Sequence, residues 1–150
     1  MTMNQLKLRK KNSKLLGKIS ANFYCEDAWK LSLNSQFDII ASNGLNIYEP
    51  NDQKVEDLYR KFYQSLKSNG ILITSFATPP PALSKNSTWK NYNPDDVIKQ
   101  KALLMDIIGA KFQTFRTEKQ EKELLERVGF KIVSFIYDSQ GMFPTVVVKK

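Results

Sequence analysis

Two short, nearly continuous apolar runs dominate the pattern of hydrophobic positions. Residues 37–41 read FDIIA and stop at Ser42-Asn43-Gly44, and residues 71–76 read ILITSF and lead into a run of prolines. Such runs are typical of parallel strands whose two faces are both covered by helices. Between them, apolar residues recur at helical spacing. Strand, helix and strand in this order predict a right-handed crossover unit, with a ligand site beyond the carboxyl ends of the strands.

The elements around this unit are predicted from caps and alternation. Residues 19–24 read as a short strand, and Asn51 or Asp52 caps the helix that follows the first apolar run. Asn93-Pro94 starts a second helix, which stops at Gly109, and a capping box from Thr117 to Gln120 starts a third, which ends at Gly129. Residues 130–137 and 145–148 are separated by a short loop and predict an antiparallel hairpin. The pattern therefore predicts an α/β domain over residues 19–150, mostly parallel with a C-terminal antiparallel hairpin.

The positive charge is concentrated at the N-terminus. The chain of 150 residues has a net charge of +8, and residues 1–18 alone contain six basic residues and no acidic one. We interpret residues 1–18 as a basic arm. Such an arm is compatible with contact to nucleic acid or an anionic surface. A solvated helix face or a frayed terminus is the alternative interpretation.

Composition excludes several kinds of site. Cys25 is the only cysteine and there is no histidine, which argues against a zinc site and against Ser-His or Cys-His catalysis. The six glycines are isolated, so no glycine-rich phosphate loop is present. No apolar run is long enough for a membrane span, and no apolar signal core follows the basic start. With its single cysteine, the chain is predicted to be cytoplasmic.

Three strand ends meet at one edge if the sheet is parallel. They carry Asp27-Ala28-Trp29, Asn43-Gly44-Leu45 and Ala77-Thr78-Pro79. A carboxylate at the first can accept a hydrogen bond from the amino group of a base, and glycine at the second permits close approach of a ligand to the backbone. The alternatives are a loop acid or helix cap for Asp27 and a simple turn for Asn43-Gly44.

Aromatic and proline residues cluster near the same edge. They suggest the wall of a pocket for an apolar or aromatic substrate, although ordinary packing explains any one of them. Arg116, just before a helix start, is a candidate ligand for an anionic substrate group, with an exposed arginine as the alternative. The wall residues are Tyr48, Pro79, Pro80, Trp89 and Tyr92.

Three long strings resemble class I S-adenosylmethionine-dependent methyltransferases. They are FDIIASNGLNIYEP, LYRKFYQSLKSNGILITSFATPPP and FRTEKQEKELLERVGFKIVSFIYDSQGMFPTVVVKK, and the resemblance covers roughly residues 19–150. It implies a Rossmann-like sheet with strand order 3-2-1-4-5-7-6. It also implies that Asp27 and Ala28 border the adenine of the cofactor, and that Asn43, Gly44 and Leu45 lie beside its methionine part. Catalysis in such enzymes rests largely on positioning, so no catalytic residue is assigned.

The resemblance also implies that parts of the enzyme are missing. The first two strands of the family, with its glycine-rich loop and the acid that holds the ribose, have no counterpart before residue 19. We therefore expect the C-terminal part of such an enzyme, with weak or absent binding of S-adenosylmethionine and an exposed edge on the strand at residue 37. The strand predicted at residues 19–24 could move against this edge, or self-association or a partner that supplies the N-terminal half would cover it. The functional alternatives are a methyltransferase-like protein acting on a small molecule, an inactive remnant or interaction module, and nucleic-acid binding through the basic arm.

Overall fold

A computed structural model describes residues 22–109 and 114–150 of the chain, which fall into two compact units divided after Leu31. Of the first unit, residues 22–31 are described, and they contain one short 3-10 helix, Ala28–Lys30. The predicted strand over residues 19–24 does not form at residues 22–24, where no described strand pairs with the backbone. Residues 19–21 and the basic arm, residues 1–18, lie outside the described residues.

The second unit, Ser32–Lys150, is built on a four-stranded sheet. Its strands are β1 (Phe37–Ser42), β2 (Leu66–Ser75), β3 (Lys131–Ile136) and β4 (Thr145–Lys149), in the order β1-β2-β4-β3. This order matches the last four positions of the sheet that the resemblance implies. Only the pair β1–β2 is parallel, because β4 runs antiparallel to both of its neighbours, β2 and β3. The α/β class and the hairpin are confirmed, whereas the described sheet is mostly antiparallel.

Helix α1 (Asp52–Ser65) follows β1 and is capped as predicted. The side chain of Asn51 accepts a hydrogen bond of 3.2 Å from the backbone N–H of Lys54. Strand β2 starts directly after the helix at Leu66, five residues before the predicted start. The early part of β2 pairs with β1 irregularly, since Leu66 lies opposite Phe37 and Ile71 lies opposite Ile39.

The other two helices also start where the sequence predicts, and α3 ends there as well. Helix α2 (Pro94–Ala102) is capped by Asn93 and continues into one π-helical turn, Leu103–Ile107. Helix α3 (Glu118–Val128) has the complete capping box between Thr117 and Gln120 and ends at Gly129, whose φ is 110°. These ends depend on hydrogen bonds between residues close in sequence, which explains why local patterns predict them.

The core lies between one face of the sheet and the helices α1 and α3. On the other face, several apolar residues are exposed, with Ile39 at 60% and Val133 at 61%. The prediction that helices cover both faces of β1 is therefore wrong for the described residues. No helix in the part of the chain that the structure describes is long and apolar enough to cross a membrane. The buried residues include Val55, Leu58, Tyr59, Phe62, Leu72, Phe76, Leu124, Leu125, Val146 and Val148.

Candidate functional site

The loop after β1 takes a sharply defined conformation. Gly44 has a φ of 68°, in the left-handed region, and its carbonyl accepts a hydrogen bond of 3.1 Å from the N–H of Ile47, within the 3-10 turn Leu45–Tyr48. A Cβ atom at Gly44 would lie 2.9 Å from Cδ1 of Ile47. The backbone angle therefore favours glycine here, and a Cβ atom would also displace the end of the Ile47 side chain. The predicted cofactor residues Asn43, Gly44 and Leu45 stand together at this strand end, and Asn43 and Leu45 are exposed.

A small cavity lies where the carboxyl ends of β1 and β2 meet, as the topology predicts. Its volume is about 210 Å³, and residues of β1, β2 and β4 line it together with Asn43. The hydroxyl of Ser75 donates a hydrogen bond of 3.4 Å to Oδ1 of Asn43. Thr74, which also lines the cavity, is only 2% exposed, and its hydroxyl has no hydrogen-bond partner among the described residues. The cavity thus offers the hydroxyl of Ser75 and the side-chain amide of Asn43 to a ligand, whereas the hydroxyl of Thr74 is buried.

A buried polar cluster, formed by Asn46, Tyr59 and Glu121, lies behind this loop. The side-chain amide of Asn46 donates to the hydroxyl of Tyr59 at 2.8 Å and to Oε1 of Glu121 at 3.1 Å, and the Tyr59 hydroxyl donates to the same Oε1. Burial raises the pKa of Glu121 to about 7, against the hydrogen bonds from Tyr59 and Asn46 and the charge of Arg116, which lower it. Burial likewise raises the pKa of Tyr59 well above its ordinary value. Sequence reasoning missed this cluster, because its members are separated by up to 75 residues.

The guanidinium group of Arg116 is buried and bonded to other groups of the protein. The residue is 2% exposed, so the interpretation as an exposed arginine is wrong. Its Nε and one terminal nitrogen donate to Oδ1 of Asp52 at 2.9 and 2.7 Å. Terminal nitrogens also donate to the carbonyls of Asn46 and Glu49, each at 2.9 Å. An anionic substrate group would have to compete with all of these acceptors.

Asp27, Ala28 and Trp29 belong to the first unit. The carboxylate of Asp27 accepts a hydrogen bond of 3.0 Å from the backbone N–H of Trp29. Asp27 therefore caps the 3-10 helix, which agrees with its alternative interpretation as a helix cap. Nζ of Lys30 lies 3.7 Å from the same carboxylate group. A role of these three residues at a cofactor stays a prediction.

The predicted substrate-pocket residues fall on two segments. Tyr48 is exposed at the end of the 3-10 turn after β1, and Pro79, Pro80 and Trp89 lie on the loop after β2, each half-buried. The indole N–H of Trp89 is shared between the carbonyl and the hydroxyl of Thr78, both at 3.0 Å. Its ring therefore holds the loop against the end of β2.

A larger cleft adjoins this loop. The sequence did not predict that residues of the β3–β4 loop line it. The cleft has a volume of about 370 Å³ and lies between α2 and the β3–β4 loop. Trp89 packs edge-on against Tyr92, one of its walls, with ring centroids 5.6 Å apart. Gly141 brings the two loops together, since a Cβ atom there would lie 2.2 Å from the carbonyl oxygen of Thr88. The apolar wall consists of Tyr92, Val97, Leu103, Met142 and Phe143, and the polar rim of Asn93, Asp96, Lys99, Gln100 and Gln140.

Comparison with solved structures gives the fold. A structure from Bordetella parapertussis described as a possible exported protein is 44% identical, with a TM-score of 0.74; the match covers 83% of this chain and 42% of that one. A SAM-dependent methyltransferase from Methanosarcina mazei is 16% identical, with a TM-score of 0.70 over 99% of this chain and 78% of its own. The 1,6-didemethyltoxoflavin-N1-methyltransferase of Burkholderia thailandensis is 14% identical, with a TM-score of 0.57 over 82% and 48% of the two chains.

These similarities assign the fold of class I SAM-dependent methyltransferases to this chain, as the sequence resemblance implies. The chain spans less than half the length of the Bordetella structure that it matches at 44% identity. No family model matches the chain, and no curated protein matches it.

Proposed function

We propose that this chain forms part of a SAM-dependent methyltransferase that acts on a small molecule. The observation that carries the proposal is the small cavity at the carboxyl ends of β1 and β2, in a sheet with the strand order of that fold. Ligands of open α/β sheets bind at this position. The fold of the matched methyltransferases supports the reaction class, although fold alone does not assign an activity.

The cavity fits only part of S-adenosylmethionine. Its volume of about 210 Å³ is below the roughly 300 Å³ at which small-molecule sites begin, and no acidic side chain lines it to hold a ribose. Asn43 and Ser75, which line the cavity, provide an amide and a hydroxyl group for a hydrogen-bonding ligand. We therefore propose weak cofactor binding by this chain, with the remaining contacts made outside the unit Ser32–Lys150.

The cleft between α2 and the β3–β4 loop is the proposed acceptor site. Its apolar wall and polar rim suit a small, mainly apolar or aromatic molecule with a few hydrogen-bonding groups. Trp89 supports the wall through Tyr92. The cofactor supplies an electrophilic methyl group, and the residues of this chain bind the acceptor and orient its nucleophilic atom.

Nuclear magnetic resonance of the 150-residue chain with S-adenosylhomocysteine tests the cofactor site. We expect amide shifts of Asn43, Gly44 and Leu45 to change at ligand concentrations between about 0.1 and 1 mM, a binding free energy of about −4 to −5.5 kcal/mol. Gly44→Ala should abolish these changes, because alanine strains the left-handed backbone and meets Ile47.

Gly109→Ala is the matched control for this experiment. Gly109 has a similar φ of 72°, and a Cβ atom there meets nothing within 4 Å, so it imposes the same backbone strain without touching the loop after β1. Equal loss of ligand response in both variants, or no response of the unaltered chain at 1 mM ligand, would count against the cofactor site.

The exposed edge and face of β1 favour a second candidate function, an interaction module without methyl transfer. Among the described strands β1 lies at the edge, and its Ile39 is 60% exposed. Exposed apolar edges of this kind favour pairing with a second chain. We propose that a second copy, or a partner that supplies the N-terminal half of the fold, covers this edge. A monomer by light scattering at high concentration, with rapid amide exchange at Ile39, would refute self-association.

A cytoplasmic location is part of the proposal. It is supported by the presence of a single cysteine, Cys25, in the chain. The similar Bordetella protein, in contrast, is described as possibly exported. Fractionation of cells that express the native gene, with detection of the chain in the cytosol or outside it, decides between the two.

A further inference from the structure

Asn46 ties the loop after β1 to both core helices. It lies in the turn Leu45–Tyr48, is 1% exposed, and donates through one amide group to Tyr59 of α1 and to Glu121 of α3. The main chain of the same turn accepts from Arg116 at the carbonyl of Asn46. The conformation of the turn therefore depends on groups that lie far away in the sequence.

The hydrogen bonds of this cluster are incomplete. Oε1 of Glu121 accepts from both Asn46 and Tyr59, whereas Oε2 of Glu121 and Oδ1 of Asn46 are buried and have no partner among the described residues. Both unpaired atoms are acceptors while the carboxyl group is ionised. A proton on Oε2 turns one of the two acceptors into a donor. A buried charge without a full set of partners destabilises a structure more than a neutral polar group does, so burial favours the protonated acid.

The charges around Glu121 oppose one another. The guanidinium of Arg116 favours the ionised carboxylate, but it is already paired with Asp52 at 2.7 Å, and the charge of Asp52 favours the protonated form. Tyr59, on the remaining side, stabilises the carboxylate by its hydrogen bond. Burial outweighs these opposing effects and brings the pKa of Glu121 to about 7, from an ordinary value of 4.5. The carboxyl group is thus expected to exchange its proton near neutral pH.

We propose that Glu121 is a positioning residue whose protonation state sets the conformation of the turn Leu45–Tyr48. The protonated acid leaves no buried charge in the cluster and keeps the contact with Asn46 that holds the turn in place. Loss of the proton leaves a buried charge with an unpaired oxygen, which favours entry of water and release of the turn. Because Gly44 and Leu45 belong to the proposed cofactor loop, the effect on ligand binding rests on the proposed function, whereas the effect on the turn does not.

The test is a pH titration of the 150-residue chain between pH 5 and pH 9 by nuclear magnetic resonance. The carboxyl carbon of Glu121 and the amides of Asn46 and Ile47 should titrate with one shared midpoint near pH 7. Amide exchange at Ile47, corrected for its intrinsic pH dependence, should be several-fold faster on the basic side. In Glu121→Gln, which resembles the neutral acid, the loop amides should lose this titration and keep the shifts of the wild type at low pH.

Tyr59→Phe provides an independent variant if Glu121→Gln does not fold. The Tyr59 hydrogen bond lowers the pKa of Glu121, so its removal should move the shared midpoint to higher pH. A Glu121 midpoint below pH 5.5, loop amides that do not follow Glu121, or a loop titration that persists in Glu121→Gln would each overturn the proposal.

A parallel titration with S-adenosylhomocysteine at pH 6 and pH 8 separates the two proposals. Tighter binding at pH 6 supports both of them. No binding at either pH, with the loop titration intact, refutes the cofactor site and leaves the role of Glu121 standing.

Discussion

The replacement Glu121→Gln should change how the stability of the protein depends on pH. Glu121 is fully buried, and its pKa of about 7 in the folded state lies above the ordinary 4.5 expected in the unfolded chain. The folded protein therefore binds this proton more tightly than the unfolded one. The stability that the proton contributes is fully present below pH 4.5 and is lost as the pH rises to about 7.

The size of the effect follows from the difference between the two pKa values. At 1.36 kcal/mol for each pKa unit, the wild type should lose about 3 kcal/mol of unfolding free energy over this range, relative to a variant that does not titrate here. Glutamine keeps an acceptor for Tyr59 and Asn46 and adds a donor at the position of Oε2. Glu121→Gln should therefore lack this loss and exceed the wild type in stability near pH 8.

Urea unfolding followed by circular dichroism at pH 5, 6, 7 and 8 measures the difference between the two proteins. Glu126→Gln is the matched control, because Glu126 lies exposed on the same helix, 3.8 Å from Lys122. The free energy of unfolding of Glu126→Gln should change with pH in the same way as that of the wild type. If the stabilities of Glu121→Gln and the wild type also run parallel from pH 5 to pH 8, the inferred titration of Glu121 is wrong.

Three further replacements test the contacts that shape the site. Arg116→Met should lower the free energy of unfolding by about 2 kcal/mol, since it removes the donors to the half-exposed Asp52 carboxylate and to the carbonyls of Asn46 and Glu49; a loss below about 0.5 kcal/mol in urea unfolding would contradict this. Gly141→Ala should displace the loop that carries Thr88 and change the amide spectra around that residue, and unchanged spectra would refute the close approach. Thr117→Ala should cost about 1 kcal/mol through the loss of the capping box, measured by thermal unfolding, with no effect on the cleft.

The site illustrates which parts of a fold local sequence can predict. The left-handed Gly44 and its position at the end of β1 follow from an apolar run that stops at Ser-Asn-Gly, and the structure places the predicted loop there. The buried position of Arg116 does not follow from its sequence context. Its main partner, Asp52, is 64 residues away, and only the packing of α3 against α1 brings the two together.

The errors in strand prediction have a similar cause. Residues 22–24 have the composition of a strand but no described strand beside them, and β2 begins at Leu66 because β1 offers a partner from Phe37 onward. The apolar composition of β1 suggested cover on both faces, yet Ile39 is exposed. A strand is completed by hydrogen bonds to another strand, so its limits and its cover depend on what lies next to it.

By itself, the sequence determined the α/β class, the helix starts, the C-terminal hairpin and the loop after β1, because caps, turns and periodicity act between residues a few positions apart. Only the tertiary structure decided that Asn46, Tyr59 and Glu121 share one buried cluster and that α2 faces the β3–β4 loop across a cleft. It also decided that the pKa of Glu121 is raised, since the cost of burying a charge depends on every group packed around it. The physical reason is that contacts across the core join residues far apart in the chain, and no local sequence pattern predicts which of them will meet.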